Sequence, residues 1–266
     1  SADSRQVYKG LDLGTGKVTE AEMEGIPHHM LDVVEPGQPY SVADFQPAAY
    51  AAIDDVLARG KVPILVGGTG LYVRAVTEGF QFSDSKPDPA LRQELEGKSN
   101  AELYAILREK TGVTLTGGEE NNRHRLMRSV EKALSGGWEA PRACPRYDCL
   151  LLGVNFPRET VCARIDQRLQ ARIDAGMIDE VAGLRAAGVS DEFLDRLGLE
   201  YRYILWYLTG KIPTLEGLKD ELGRAIKRFA KRQVVWFKKD KDVLWLDMEG
   251  DFLSQAGDAV ERFLSA

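Results

Sequence analysis

Along the chain, short and mostly apolar runs alternate with longer stretches of helical periodicity. His29–Val34, Val62–Gly67, Cys149–Val154 and Val243–Leu246 are such runs, each stopped by turn residues. Runs of this length read as strands buried on both faces, the habit of a parallel sheet. Between them lie amphipathic patterns. Ser41-Val-Ala-Asp44 is a capping box that predicts a helix running to Gly60, a good C-terminal stop. From Thr160, the residues Val161, Ile165, Leu169, Ile173 and Met177 step by fours and predict one long helix, and Leu215–Phe237 repeats the pattern. Strands alternating with helices predict an α/β fold with a parallel sheet. The stretch 87–143 differs. Pro87 and Pro89 mark one edge, Pro141 and Pro145 the other, and the interior is polar and helical with no strand signal. It predicts a small all-helical insertion domain in an α/β core made of 1–86 and 144–266.

Composition narrows the function classes. The chain has 266 residues, 35 Lys+Arg against 41 Asp+Glu, and a formal charge of −6, so any nucleic-acid surface must be gathered locally. No run approaches the ~18 apolar residues of a membrane helix. Three cysteines, Cys144, Cys149 and Cys162, without metal-ligand spacing fit a reducing, cytoplasmic setting.

Several motifs invite chemistry. Gly14-Thr-Gly-Lys17 looks like the end of a phosphate loop, but Leu11 stands where the first glycine belongs and Val18 where the magnesium-binding hydroxyl belongs. A glycine-rich turn is the better account. Gly67-Gly-Thr-Gly-Leu-Tyr72 follows a buried strand and opens a helix, so Thr69 and its neighbouring amides would face the crevice beyond the strand ends. Ser1-Ala2 reads as a strand end, which would put Asp3 at the same edge as a general base, a metal ligand or a helix cap. Arg164, Arg168 and Arg172 recur every four residues on one helix face. With Arg158 they form either a phosphate clamp or a solvated stripe partnered by Asp166 and Asp174. Gly223–Lys239 carries Arg224, Lys227, Arg228, Lys231, Arg232, Lys238 and Lys239 with no acid among them, and Arg123, Arg125 and Arg128 flank His124 in the insertion. Trp236 and Phe237, at helical spacing, read as core. His28 and His29 read as structural.

Taken together these phrases resemble the tRNA dimethylallyltransferases. Ser1-Ala-Asp-Ser-Arg-Gln-Val-Tyr8, Gly10-Leu-Asp-Leu-Gly-Thr15, Pro27-His-His-Met-Leu-Asp32 and Tyr40-Ser-Val-Ala-Asp-Phe45 occur in family order. Ile64–Tyr72, Phe229–Phe237 and Trp245-Leu-Asp247 follow, so the resemblance covers essentially the whole chain. It implies a P-loop NTPase-like parallel sheet of the nucleotide-binding (ATP-binding) class, flanked by helices. It also implies a cytoplasmic monomer that transfers a dimethylallyl group from dimethylallyl diphosphate, with magnesium, to N6 of the adenosine 3′ of a tRNA anticodon.

Carried over position by position, the resemblance makes Asp3 the general base and Thr69 a contact to the target nucleotide. Arg168 holds the diphosphate, assisted by Arg164. The anticodon stem-loop is touched by Asp3, Ser4, Arg5 and Gln6, by Arg92, by His124, Arg125, Leu126, Met127 and Arg128, and by Leu197, Gly198, Leu199, Glu200, Tyr201 and Arg202. No metal ligand is assigned. The family's own phosphate loop precedes the Ser-Ala-Asp-Ser phrase. The expectation is therefore an N-terminally truncated chain, without the first strand, the glycine loop and its lysine, that holds diphosphate weakly and exposes apolar surface where that strand would pack. Two further departures are the absence of a His-Pro-Asn-Asp phrase before Arg123 and Gly198-Leu-Glu-Tyr-Arg202 in place of Gly-Tyr-Arg. A small-molecule kinase of phosphate-loop type and a catalytically silent RNA-binding module are the alternatives. The basic segments around Arg125 and Lys231 count against the kinase.

Overall fold

The structure is a computed structural model and describes residues 1–82, 88–115, 119–138 and 142–265. The chain divides into two compact units, Ser1–Glu78 with Pro145–Ala266, and Gly79–Cys144. Two of the prolines that mark the insertion, Pro87 and Pro141, lie outside the described residues.

The first unit begins with an irregular segment and continues through α1 (Val42–Ala58) and α2 (Gly70–Thr77). After the insertion it resumes with β1 (Leu152–Asn155), α6 (Arg158–Asp174), α7 (Met177–Ala186), α8 (Asp191–Leu197) and α9 (Leu199–Leu208). It ends with α10 (Leu215–Phe237), β2 (Leu244–Asp247) and α11 (Phe252–Leu264). The Ser41 box forms as expected: the Asp44 carboxylate accepts from Ser41 N at 2.8 Å and from its hydroxyl at 2.7 Å. Helix α10 covers the expected residues, capped by the Thr214 hydroxyl.

Three expectations need correction. The α6 pattern does not run on to Met177, because Gly176 at φ +99° breaks it, and Met177 opens α7 instead. Of the four apolar runs, only β1 and β2 form a ladder, a parallel pair with Leu152 opposite Leu244. In His29–Val34, Met30 and Asp32 take φ of +64° and +54°, which no strand accommodates, so Val34 alone bridges Tyr8. Val62–Gly67 forms no ladder among the described residues, and its backbone is met only by Ala2 N–H donating to Val66 O at 2.7 Å. Val62, Ile64 and Val66 stay 57%, 81% and 66% exposed, because no element among the described residues covers them.

Two apolar clusters hold this unit. One joins Val7 and Leu11 to α6–α10 through Leu169, Met177, Val181, Leu194, Ile204, Leu218 and Leu222. The other packs Ala2, Met30, Phe45, Ala49, Tyr72 and Val76, with the Phe45 and Tyr72 rings stacked 4.2 Å apart.

The described residues of the second unit carry α3 (Pro89–Glu96), α4 (Asn100–Thr111), a 3-10 turn at Glu119–Asn121 and α5 (Arg123–Leu134). An isolated antiparallel bridge, Phe80 with Ala143, ties its two ends together. Leu95, Leu103, Leu107, Leu126, Met127 and Val130 form its core. Glu131, only 2% exposed, holds Arg92 through both carboxylate oxygens at 2.7 and 3.1 Å and Arg128 at 3.1 Å. Deleting that carboxylate leaves two guanidinium groups beside the core with fewer acceptors. Glu131→Ala should therefore lower unfolding stability by about 2 kcal/mol, and Glu131→Gln by less. Urea denaturation of both variants checks this, and an unchanged midpoint would refute it.

Candidate active site

The start of the chain and the Gly67–Leu71 turn are held together by backbone. Ala2, fully buried, donates to Val66 O, and its carbonyl accepts from Thr69 N–H at 3.3 Å. Contact is so close that a β-carbon on Gly67 would fall 2.3 Å from the Ala2 carbonyl oxygen, so glycine is required there. This pairing sets Asp3 and Ser4 beside Thr69. Ser4 N–H donates to the Thr69 hydroxyl at 3.1 Å, and that hydroxyl donates to Ser4 Oγ at 3.3 Å. Asp3 Oδ1 accepts from the amides of Arg5 and Gln6 at 2.8 and 3.4 Å, which fixes its side chain in a tight local turn.

These residues form one wall of a cavity of about 740 Å³. Helix α6 supplies a second wall with Ile165, Arg168, Leu169 and Arg172. Arg196–Arg202, the corner between α8 and α9, closes a third side, and α10 closes the fourth with Phe229, Arg232, Gln233 and Trp236. Gln233 donates to Gly68 O at 3.0 Å, and a β-carbon on Gly70 would meet the Trp236 indole at 2.1 Å, so α10 seats directly on the glycine turn. Six arginines, Arg5, Arg168, Arg172, Arg196, Arg202 and Arg232, line the cavity against two carboxylates, Asp3 and Glu200.

The electrostatics follow from that imbalance. Burial, and then the neighbouring Arg168, pull the Arg172 pKa below the usual arginine value, and burial does the same to Arg5. Glu200 is 15% exposed, and its nearest cation is Arg172 at 4.0 Å, too far for a hydrogen bond. Burial pushes its carboxyl above the usual range. It reaches the cavity through a strained corner, since Gly198 and Leu199 have φ of +78° and +38°.

The structure brings Asp3, Ser4, Arg5, Thr69, Arg168 and the stretch Leu197–Arg202 into one cavity lining. It does not bring Arg164 there, whose guanidinium lies over the Phe156 ring at 4.2 Å. Arg172, the next member of the stripe, lines the cavity instead. Gln6 lies just beyond the lining and donates to Gly16 O at 3.3 Å. Leu197 and Tyr201 are 4% and 2% exposed, so neither presents much side chain to a ligand. In the helical unit His124 and Arg125 are exposed, Leu126 and Met127 are core, and Arg92 and Arg128 are tied to Glu131. Trp236 and Phe229 are 41% and 37% exposed and line the cavity, whereas helical spacing alone assigns Trp236 to the core. The α10 face that packs is the one carrying Leu218, Leu222 and Ala225. Among the described residues no cluster of three or more His, Cys, Asp or Glu side chains gathers to hold a metal ion.

The IPP transferase family model matches residues 6–240. The chain belongs to that family. It is 41% identical over 257 residues to a tRNA dimethylallyltransferase of an Exiguobacterium species, covering 93% of this chain and 81% of that one. It is also 42% identical over 269 residues to tRNA dimethylallyltransferase 2 of Shewanella sediminis, covering 96% and 86%. Among solved structures it is similar to the full-length tRNA isopentenylpyrophosphate transferase of Bacillus halodurans. There the TM-score is 0.72, with 33% identity over 99% of this chain and 86% of that one. A eukaryotic dimethylallyltransferase acting on tRNA gives a TM-score of 0.78 at 25% identity, covering 99% and 72%. These relatives favour neither the kinase nor the silent RNA-binding module.

Glu200 gives the site a pH signature. Its folded pKa lies above the unfolded value, so the native state holds its proton more tightly. Stability therefore falls as pH rises from the ordinary carboxylate range through the raised folded pKa. Glu200→Gln removes the buried charge. Its melting temperature should exceed that of the unaltered chain at pH 8 and converge with it near pH 4. A constant difference across a pH series of thermal melts would refute the assignment.

Proposed function

We propose that this chain is a tRNA-modifying transferase that moves a dimethylallyl group from dimethylallyl diphosphate to N6 of the adenosine 3′ of a tRNA anticodon. Its membership of the IPP transferase family supports the reaction class. One observation carries the reading to these residues: the Asp3 carboxylate and Thr69 hydroxyl share a cavity with Arg168 and Arg172.

The chemistry needs that pairing. An adenine amine is a poor nucleophile, because its lone pair is delocalised into the ring. A base must take its proton as the new bond forms. Asp3 is that base in this reading: Oδ1 is held by two backbone amides, and Oδ2 is left to receive the proton. The bond from N6 to the allylic carbon forms as the carbon–oxygen bond to diphosphate breaks. Growing negative charge on the leaving group is met by the guanidinium groups of Arg168 and Arg172. The Arg168 side chain makes no hydrogen bond or ion pair among the described residues, so its charge is available to an anion. The half-exposed Phe229 and Trp236 supply an apolar face to the donor's hydrocarbon. For its amine to reach Asp3, the target base must leave the loop stack.

Magnesium stands differently. Two carboxylates among six arginines do not make a protein cage for it. No residue of the cavity is assigned to it, and we propose only that it accompanies the diphosphate. A sheet of phosphate-loop type, a cytoplasmic location and a monomeric state complete the reading. No helix among the described residues is long and apolar enough to cross a membrane.

The test is transfer of label from dimethylallyl diphosphate to unmodified tRNA. Asp3→Asn should lower turnover by at least ~100-fold while tRNA affinity stays within about twofold; equal losses in both would refute the base. Arg168→Ala should raise the KM for the prenyl diphosphate by roughly tenfold, and an unaltered KM removes it from the donor site. Tight, salt-sensitive tRNA binding without any transfer would assign the chain to the silent binding class instead.

A further inference from the structure

The Gly14-Thr-Gly-Lys17 turn has no part in the chemistry above, yet it sits against the arginine wall. Its Lys17 is not offered to a phosphate. That side chain is 6% exposed and spent on Asp12 at 2.6 Å, Asp32 at 2.5 Å and the Tyr8 carbonyl at 3.0 Å. What the turn presents to the cavity is Gly14 and Thr15. Gly16, at φ +60°, lies so close to the Arg172 guanidinium that a β-carbon there would fall 1.7 Å from Nη2.

A single carboxylate holds that turn in place. Glu180, in the first turn of α7, accepts from Asp12 N–H at 2.9 Å and Leu13 N–H at 2.7 Å through Oε2. Through Oε1 it accepts from Gly14 N–H at 3.0 Å and from the Tyr201 hydroxyl at 2.9 Å. The Tyr201 ring in turn packs against Gly14, where a β-carbon would fall 2.6 Å from it. Glu180 and Tyr201 also act on the Arg172 charge from that side. Three consecutive amides gripped by one carboxylate make a rigid nest, and a rigid backbone is what a long guanidinium side chain needs to lose its rotamer freedom before an anion arrives.

We propose that Glu180 is a positioning residue. Through the Asp12–Gly16 turn it holds the Arg172 guanidinium in the cavity wall beside Arg168, pre-set for the oxygens of a diphosphate. The placement of Arg172 stands on the geometry alone, while its use for a diphosphate rests on the function proposed above.

The experiment reads the two parts separately. The side-chain Nε–H signal of Arg172, assigned by Arg172→Lys, is followed by NMR without ligand and then titrated with inorganic pyrophosphate. Glu180→Gln keeps the shape but turns an N–H donor toward backbone donors. Gly16→Ala leaves Glu180 intact but puts a methyl group where the guanidinium lies. Both should shift and broaden the ligand-free Arg172 signal while the Arg164 signal, beyond the turn, stays put. Both should also weaken pyrophosphate binding to about the extent of Arg172→Ala, roughly tenfold. Adding Glu180→Gln to Arg172→Ala should then cost nothing further, because the first acts only through the second. An unmoved Arg172 signal, or additive losses in the double variant, overturns the inference. If Arg168→Ala and Arg172→Ala both leave pyrophosphate binding unchanged, the diphosphate reading of the site fails. The ligand-free signal still decides the positioning role.

Discussion

Everything in the cavity depends on how closely the Ala2 backbone approaches the Gly67 turn. Ala2 is wholly buried, and its amide and carbonyl are both spent on the Val66–Thr69 segment. Buried backbone groups must be paired, so these two bonds leave no freedom in how the next residue, Asp3, leaves the contact. Glycine at position 67 is what lets the two backbones meet. Asp3 and Thr69 lie 66 positions apart in sequence, yet this contact places carboxylate and hydroxyl on one edge. Any side chain larger than hydrogen at position 67 would separate the two.

The same cavity inverts the charge of the molecule. A chain with net charge −6 gathers six arginines against two carboxylates at one place. Arginine does not shed its proton at accessible pH, so the burial that lowers the Arg172 and Arg5 pKa values leaves cations whose charge is only partly compensated. Such a wall favours an anion over water. The acidic remainder of the surface repels a polyanion elsewhere, which directs any nucleic-acid contact to the basic segments. The exposed cations Arg224, Arg228 and Lys231 lie on α10, whose further turns carry Arg232 and Trp236 of the cavity.

Much of this was legible from residues alone, for physical reasons. Helices with strong caps and apolar periodicity are the clearest cases, because local bonds and one packing face determine them: α10 has the expected bounds, and α1 starts at the expected cap and stops at Ala58, just short of the expected Gly60. The glycine turn with Thr69 and the arginine stripe were visible for the same reason. What failed was what tertiary context decides. Positive φ at Met30 and Asp32 breaks an apolar run that looks like a strand. Gly176 cuts a helix whose hydrophobic period continues across the break. Val62–Gly67 has strand composition, but pairing belongs to a neighbour, and among the described residues only the Ala2 backbone pairs with it. At the site, Arg164 and Arg172 are equivalent in spacing; only the fold turns one onto Phe156 and the other into the cavity. Glu180 had no signal at all, since a carboxylate in the first turn of a helix reads as an ordinary partner for the helix dipole.

Gly14-Thr-Gly-Lys17 shows why a short motif must be judged by where its charges end up. In a phosphate loop the lysine and the backbone amides both point at the ligand. Here Lys17 is consumed by two aspartates and a carbonyl, and the amides of Asp12, Leu13 and Gly14 are consumed by Glu180. Those amides grip an anion after all, but it is one supplied by the protein. The nest geometry that would bind phosphate in another context serves instead to stiffen the backbone behind a guanidinium. Small residues remain necessary, Gly14 to admit the Tyr201 ring and Gly16 to admit Arg172. The glycines thus answer to the arginine wall, and the likeness to a phosphate loop follows from the shared need for a tight turn.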